Sequence, residues 1–87
     1  LRAVSYQLEQ KVMTTAHWFE QHYQRPGESL TEAYKRFAHA AGISRSSAYY
    51  VARGYRVGEL VRTKALRYGK RLGLQAHWFD DAPEYGQ

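Results

Sequence analysis

Between Phe37 and Gly54 the chain reads FAHAAGISRSSAYYVARG, and the side chains able to hydrogen-bond come in a run: Ser44, Arg45, Ser46, Ser47, Tyr49, Tyr50 and Arg53. A segment made only to fill a core would not be built this way. The planar fork of arginine bridges guanine O6 and N7, serine donates or accepts, and tyrosine carries a hydroxyl at the tip of an apolar ring. These are the residue types that read base edges in a duplex groove. On a helix, Ala48 and Val51 turn inward while Arg45, Ser46, Ser47, Tyr49, Tyr50 and Arg53 are left facing out. Arg45, Ser46, Tyr49, Tyr50 and Arg53 are therefore the candidate base readers. Ser44 sits where free N–H groups and the helix dipole favour an anion, which makes it a candidate phosphate holder together with Lys35, Arg36 and Arg56.

The charge around this run has the matching sign. From Lys35 to Arg71 ten basic residues stand against the single acid Glu59, a net +9, while the remainder of the chain nets −4 and the whole +5. A positive field so concentrated suits a polyanion, because each phosphate neutralised releases condensed counterions. Charge alone leaves open which polyanion, and it leaves open a solvated basic face. For Arg62, Lys64, Arg67, Lys70 and Arg71 both readings stand, solvated helix face or phosphate contact.

Helices must position these groups, and the sequence marks their ends. Leu8, Val12, Ala16, Phe19 and Tyr23 recur at spacings of three and four, which predicts one helix from about Ser5 to Gln24. Arg25-Pro26-Gly27 breaks it. Ser29 and Glu32 have the spacing of a capping box, so a second helix is expected over Leu30–Ala41, with Gly42 as its stop. Ser44 can cap a third helix reaching Arg53. Arg56-Val57-Gly58 then leads into a fourth from Glu59 to Leu72, whose expected apolar face is Leu60, Val61, Ala65, Tyr68 and Leu72. A last turn over Gln75–Phe79 precedes an acidic tail, residues 80–87. The fold class expected is all-α, a compact four- to five-helix domain. The 87 residues allow one domain with one core, since a chain this short cannot divide into two.

Two short helices joined by a tight glycine turn make a helix-turn-helix, which needs a small residue at the crossing and apolar residues along the inner face of its second helix. Ala38 and Gly42 supply the first needs; Phe37, Ala41, Ile43, Ala48 and Val51 supply the rest. The segment of about residues 30–54 resembles the helix-turn-helix signature and, within it, the phage-repressor-like regulators of the Cro and C-repressor type. Phe37, Ala38, Gly42, Ile43, Ser44, Ala48 and Val51 carry the resemblance. A weaker likeness extends from Tyr68 through Leu74 to Trp78 and Phe79. Two positions depart: Tyr34 stands where such motifs often have a phosphate-binding glutamine, and Ala48 is smaller than the usual branched residue. What the resemblance implies is sequence-specific binding of double-stranded DNA, as a homodimer on a near-palindromic operator, by a repressor of transcription.

Other classes find less support in the residues. The absence of cysteine removes disulfides and thiolate metal sites and makes the cytoplasm the default compartment. His17, His22, His39 and His77 have no recognised metal spacing, so no metal and no cofactor are expected. No apolar run approaches the ~20 residues that span a bilayer, and a soluble chain is expected. No Gly-rich phosphate loop, nucleophile elbow or spaced acid pair speaks for an enzyme or a small-molecule substrate. The alternative from another class is a protein-interaction or assembly module, such as an antitoxin or phage accessory protein, using Trp18, Trp78 and Tyr85. RNA is a third reading, disfavoured because an A-form helix denies side chains its deep groove. AHWF occurs twice, at Ala16–Phe19 and Ala76–Phe79, with unmatched flanks; one aromatic of each pair is expected in the core, and the other as a cap or dimer contact.

Overall fold

The computed structural model describes residues 13–86. Its elements are α1 (Thr15–Trp18), running on as a π-helical turn over Phe19–Tyr23, then α2 (Leu30–Ala41), α3 (Arg45–Arg53) and α4 (Glu59–Gly69), with 3₁₀ turns at Lys70–Leu72 and Ala76–Phe79. There is no strand among the described residues, and the chain is the small all-α domain expected.

The first helix differs from its expectation. Thr14 is extended (φ −129°, ψ 174°), and its side chain accepts from the His17 N–H, so within the described residues the helix starts at Thr15. A threonine hydroxyl offering a local cap competes with continued helix, and here the cap wins. The part of the expected helix over residues 5–12 lies outside the described residues. Further on, Gln24 N–H donates to Phe19 O, 2.8 Å, five residues back. Phe19 and Tyr23 at its two ends are both interior.

The core is aromatic and centred on Phe37, which is fully buried. Trp18, Phe19, Tyr23 and Tyr68 all meet its ring edge-on, at centroid distances from 5.3 to 6.3 Å. Such edge-to-face pairs add about 0.5–1.5 kcal/mol each beyond area burial. Their polar tips are satisfied: Trp18 Nε1–H donates to Leu72 O at 3.0 Å, and the Tyr23 and Tyr68 hydroxyls bond each other at 3.0 Å. Desolvation and that hydroxyl pair push the Tyr23 phenol well above its usual range.

α2 and α3 end where their sequence signals placed them. Ser29 and Glu32 form both halves of the capping box. Gly42 takes φ +74°, and its N–H and that of Ile43 donate to Ala38 O at 2.9 and 3.0 Å. Ala33, Phe37 and Ala38 of α2 and Ala48, Val51 and Ala52 of α3 are buried. Ala38 and Ala48, one on each helix, are both buried, and side chains this small allow two helices to pack closely.

α4 and its 3₁₀ extension cover the expected range, Glu59 to Leu72, but only part of the expected apolar face: Val61, Ala65 and Tyr68 join the core, whereas Leu60 and Leu72 are 67% and 48% exposed. Ala65 and Gly69 are the buried residues. Gly69 leaves room for Leu74, whose Cδ2 would lie 2.7 Å from any Cβ placed there. Leu74 and Phe79 close the core, while Trp78 packs half-buried against it. In the two AHWF stretches the expected division of labour holds only for the second, because Trp18 and Phe19 are both interior. No helix among the described residues is long and apolar enough to cross a membrane.

Candidate nucleic-acid interface

Ser44 starts α3 by accepting from Ser47 N–H at 3.1 Å, and its own hydroxyl donates to Ser47 Oγ at 2.8 Å. That cap fixes where the helix starts. Ala48, Val51 and Ala52 then point into the core, and Arg45, Ser46 and Arg53 stand exposed on the other side, with Tyr49 and Tyr50 half-buried. Four of the five candidate base readers, Arg45, Ser46, Tyr49 and Tyr50, line one open hollow of about 310 Å³, joined by Tyr34 of α2 and Tyr85 of the tail. Arg53 stands apart from it, further along α3, and lines a separate cleft with Glu20 and Arg25.

The tyrosines touch in sequence. Tyr34 meets Tyr49 at 5.6 Å, Tyr49 meets Tyr50 at 6.0 Å, and Tyr50 meets both Tyr55 and Tyr85, at 6.4 and 5.3 Å. Rings that hold one another in this way lose little further freedom when they contact a ligand. Tyr34, at the position where resembling motifs carry glutamine, thus joins α2 to the tyrosines of α3 at the hollow itself. Tyr55 is not among the sequence candidates, and Tyr85 is one only for the protein-interaction alternative; nothing in their spacing shows that a loop and a tail converge on α3.

The four candidate phosphate holders fall into different settings. Lys35 is exposed and has no ion-pair partner among the described residues. Ser44 is exposed at the α3 N-terminus. Arg56 is exposed and lies 3.6 Å from the Glu84 carboxylate. Arg36 is committed elsewhere. Its Nε and Nη2 donate to the two Glu28 carboxylate oxygens at 3.0 and 2.8 Å, Nη2 also donates to Tyr23 O, and the guanidinium lies over the Tyr23 ring, 4.2 Å from its centre. The hydrogen bond from Arg36, followed by one from the Arg25 backbone, lowers the Glu28 carboxyl to about 2. The same bond raises the Arg36 guanidinium further above its ordinary value. Arg36 thus ties α2 to the loop before it.

Among the remaining cations, Arg62 reaches Asp80 at 3.2 Å and Lys64 Nζ donates to Gly42 O at 3.4 Å, which pins α4 to the helix-turn-helix turn. Arg67, Lys70 and Arg71 are exposed and have no ion pair among the described residues. No group of three or more histidine or acidic side chains among the described residues could hold a metal ion. No family model matches the chain, and no curated protein or solved structure matches it significantly.

Proposed function

We propose that this domain binds double-stranded DNA in a sequence-specific way and acts as a transcriptional regulator, a repressor in the first instance. One observation carries the reading: Arg45, Ser46, Tyr49 and Tyr50 share one hollow on the outer side of a capped helix whose inner side is locked into a helix-turn-helix. The segment around them is the basic half of the chain. Arg45, Ser46, Tyr49, Tyr50 and, at the far end, Arg53 read base edges, with the tyrosine rings also able to meet thymine methyls. Lys35, Ser44 and Arg56 hold phosphates; Arg36 takes the structural part of orienting the start of α2.

A single recognition helix spans only a few base pairs, so useful specificity calls for a homodimer on a near-palindromic site with half-sites about 34 Å apart. Phe79 is interior, so the Trp78–Phe79 ending offers a dimer contact only the half-buried Trp78. The competing protein-docking reading loses one of its aromatics in the same way, because Trp18 is 2% exposed. No catalysis is part of the proposal.

Selection from a random duplex pool tests it. The expected result is an enriched motif made of two related half-sites. Recovery of no motif, or of a motif insensitive to Arg45→Ala and Tyr50→Ala, would overturn the proposal.

A further inference from the structure

The acidic tail does not trail away from the domain. Arg56 N–H donates to Pro83 O at 2.7 Å, the Glu84 carboxylate lies 3.6 Å from the Arg56 guanidinium, and the Tyr85 ring packs on Tyr50 and Tyr55 at 5.3 and 5.2 Å. Tyr85 also forms a wall of the hollow that Arg45, Ser46, Tyr49 and Tyr50 line. Three consecutive residues thus present a backbone carbonyl, a carboxylate and an aromatic ring to the surface proposed to meet a phosphate and the edge of a base.

We infer that Pro83, Glu84 and Tyr85 form an intramolecular competitor of nucleic acid, a strap that occupies the reading face of α3 and must leave before a duplex can dock. The inference rests on the DNA-binding reading. Two features make the strap a competitor and not an accessory reader. Its carboxylate neutralises a cation that a phosphate would otherwise claim, and an acid left in place beside a phosphate would be repelled. Tyr85 is 59% exposed and Arg56 and Glu84 are each 57% exposed in their side chains, so the contact is weak enough to release. Its competitor is the duplex itself, whose phosphates offer more negative charge than one glutamate. The strap therefore raises the threshold for non-specific binding, where contacts to bases contribute nothing, more than it hinders a site that Arg45 and Tyr50 can read.

The test uses the full chain and two probes, a duplex pool of random sequence and the sequence selected from that pool, at one fixed salt concentration. Tyr85→Ala leaves net charge unchanged and should tighten binding of the random pool about two- to tenfold. Glu84→Gln should tighten it about two- to fivefold. Asp81→Asn is the control: it removes the same charge from the same tail, at a carboxylate with no ion pair among the described residues, and should change binding by less than either. In the free protein the Arg56 amide should be protected from hydrogen exchange, and saturating duplex should remove that protection. Melting of each variant checks that the domain remains folded.

A Tyr85→Ala variant that loses affinity only for the selected sequence would make Tyr85 a reader and overturn the strap. So would equal gains from Glu84→Gln and Asp81→Asn, which would reduce the effect to bulk charge, or Arg56 protection that persists in the complex. Wild-type binding that neither Tyr85→Ala nor Glu84→Gln alters sinks the strap alone. If neither the wild type nor any variant binds a duplex, the DNA reading itself fails, and the competition with it.

Discussion

Tyr34 of α2 and Tyr49 of α3 meet edge-on, their ring centroids 5.6 Å apart and their planes at 77°, across the angle of the helix-turn-helix. Both rings line the same hollow, so the contact holds the Tyr49 ring within its wall. Tyr34→Phe keeps the ring and should retain full sequence preference, whereas Tyr34→Ala should weaken binding to the preferred duplex by about 0.5–1.5 kcal/mol while the domain stays folded. Equal losses for Phe and Ala would mean that the Tyr34 hydroxyl touches DNA directly.

Reading and holding should separate by salt and by sequence. Arg45→Ala or Arg53→Ala should alter stability by no more than about 0.5 kcal/mol and weaken the preferred duplex by roughly 1–3 kcal/mol, with scrambled duplexes much less affected. Lys35→Ala should lower affinity for every sequence alike and make the slope of log K against log salt shallower by about 1. Titrations of matched and scrambled duplexes over a salt series measure both. Arginine variants that keep full sequence preference would move the reading face elsewhere.

The inner side of the same helix should fail by unfolding. Val51 has no exposed surface. Val51→Asp would bury a carboxylate with no partner and should destabilise the domain on the order of 4 kcal/mol or more, and Val51→Ala should do so by about 1–3 kcal/mol. Denaturant unfolding gives both values. A folded, DNA-competent Val51→Asp would contradict the packing of α3.

Acid should release the loop before α2. The Glu28 carboxyl sits at about 2 in the folded chain against an ordinary value of 4.5. Between those values the unfolded state binds the proton and the folded state does not. The stability Glu28 contributes is therefore fully present above 4.5 and is lost as pH falls toward 2. In Glu28→Gln the melting temperature should vary less with pH across that window than in the wild type. Identical pH profiles would show that the Arg36 pair does not contribute to stability.

The parts legible in the sequence are those fixed by neighbours along the chain. Ser29 with Glu32, Gly42 and Ser44 each act within one turn, and α2 and the start of α3 have the boundaries these residues marked. Thr14 carried the same kind of signal, but the apolar spacing from Leu8 to Tyr23 hid it. Arg36 could not be told from a phosphate-binding arginine, since its partner Glu28 lies in a loop and the pairing depends on how that loop turns. Leu60 fits the spacing of the buried stripe and still faces out among the described residues, because spacing marks a stripe and not how far the neighbouring elements reach along it. The tail was legible as acidic and proline-containing; its docking on Arg56 depends on a backbone carbonyl, a group every residue has.

The hydrogen bond from Trp18 to Leu72 joins residues 54 positions apart, whereas α2 and α3 meet across a three-residue turn. Closing the longer loop costs more chain entropy before any contact rewards it. Folding should therefore begin with the α2–α3 pair, and α1 should dock after the rate-limiting barrier has been crossed. Trp18→Phe would then accelerate unfolding with little change in the folding rate, while Val51→Ala would slow folding. A chevron analysis that found the reverse would place the aromatic cluster in the nucleus. On the expected order, the helix proposed to read DNA belongs to the first part of the chain to acquire its shape.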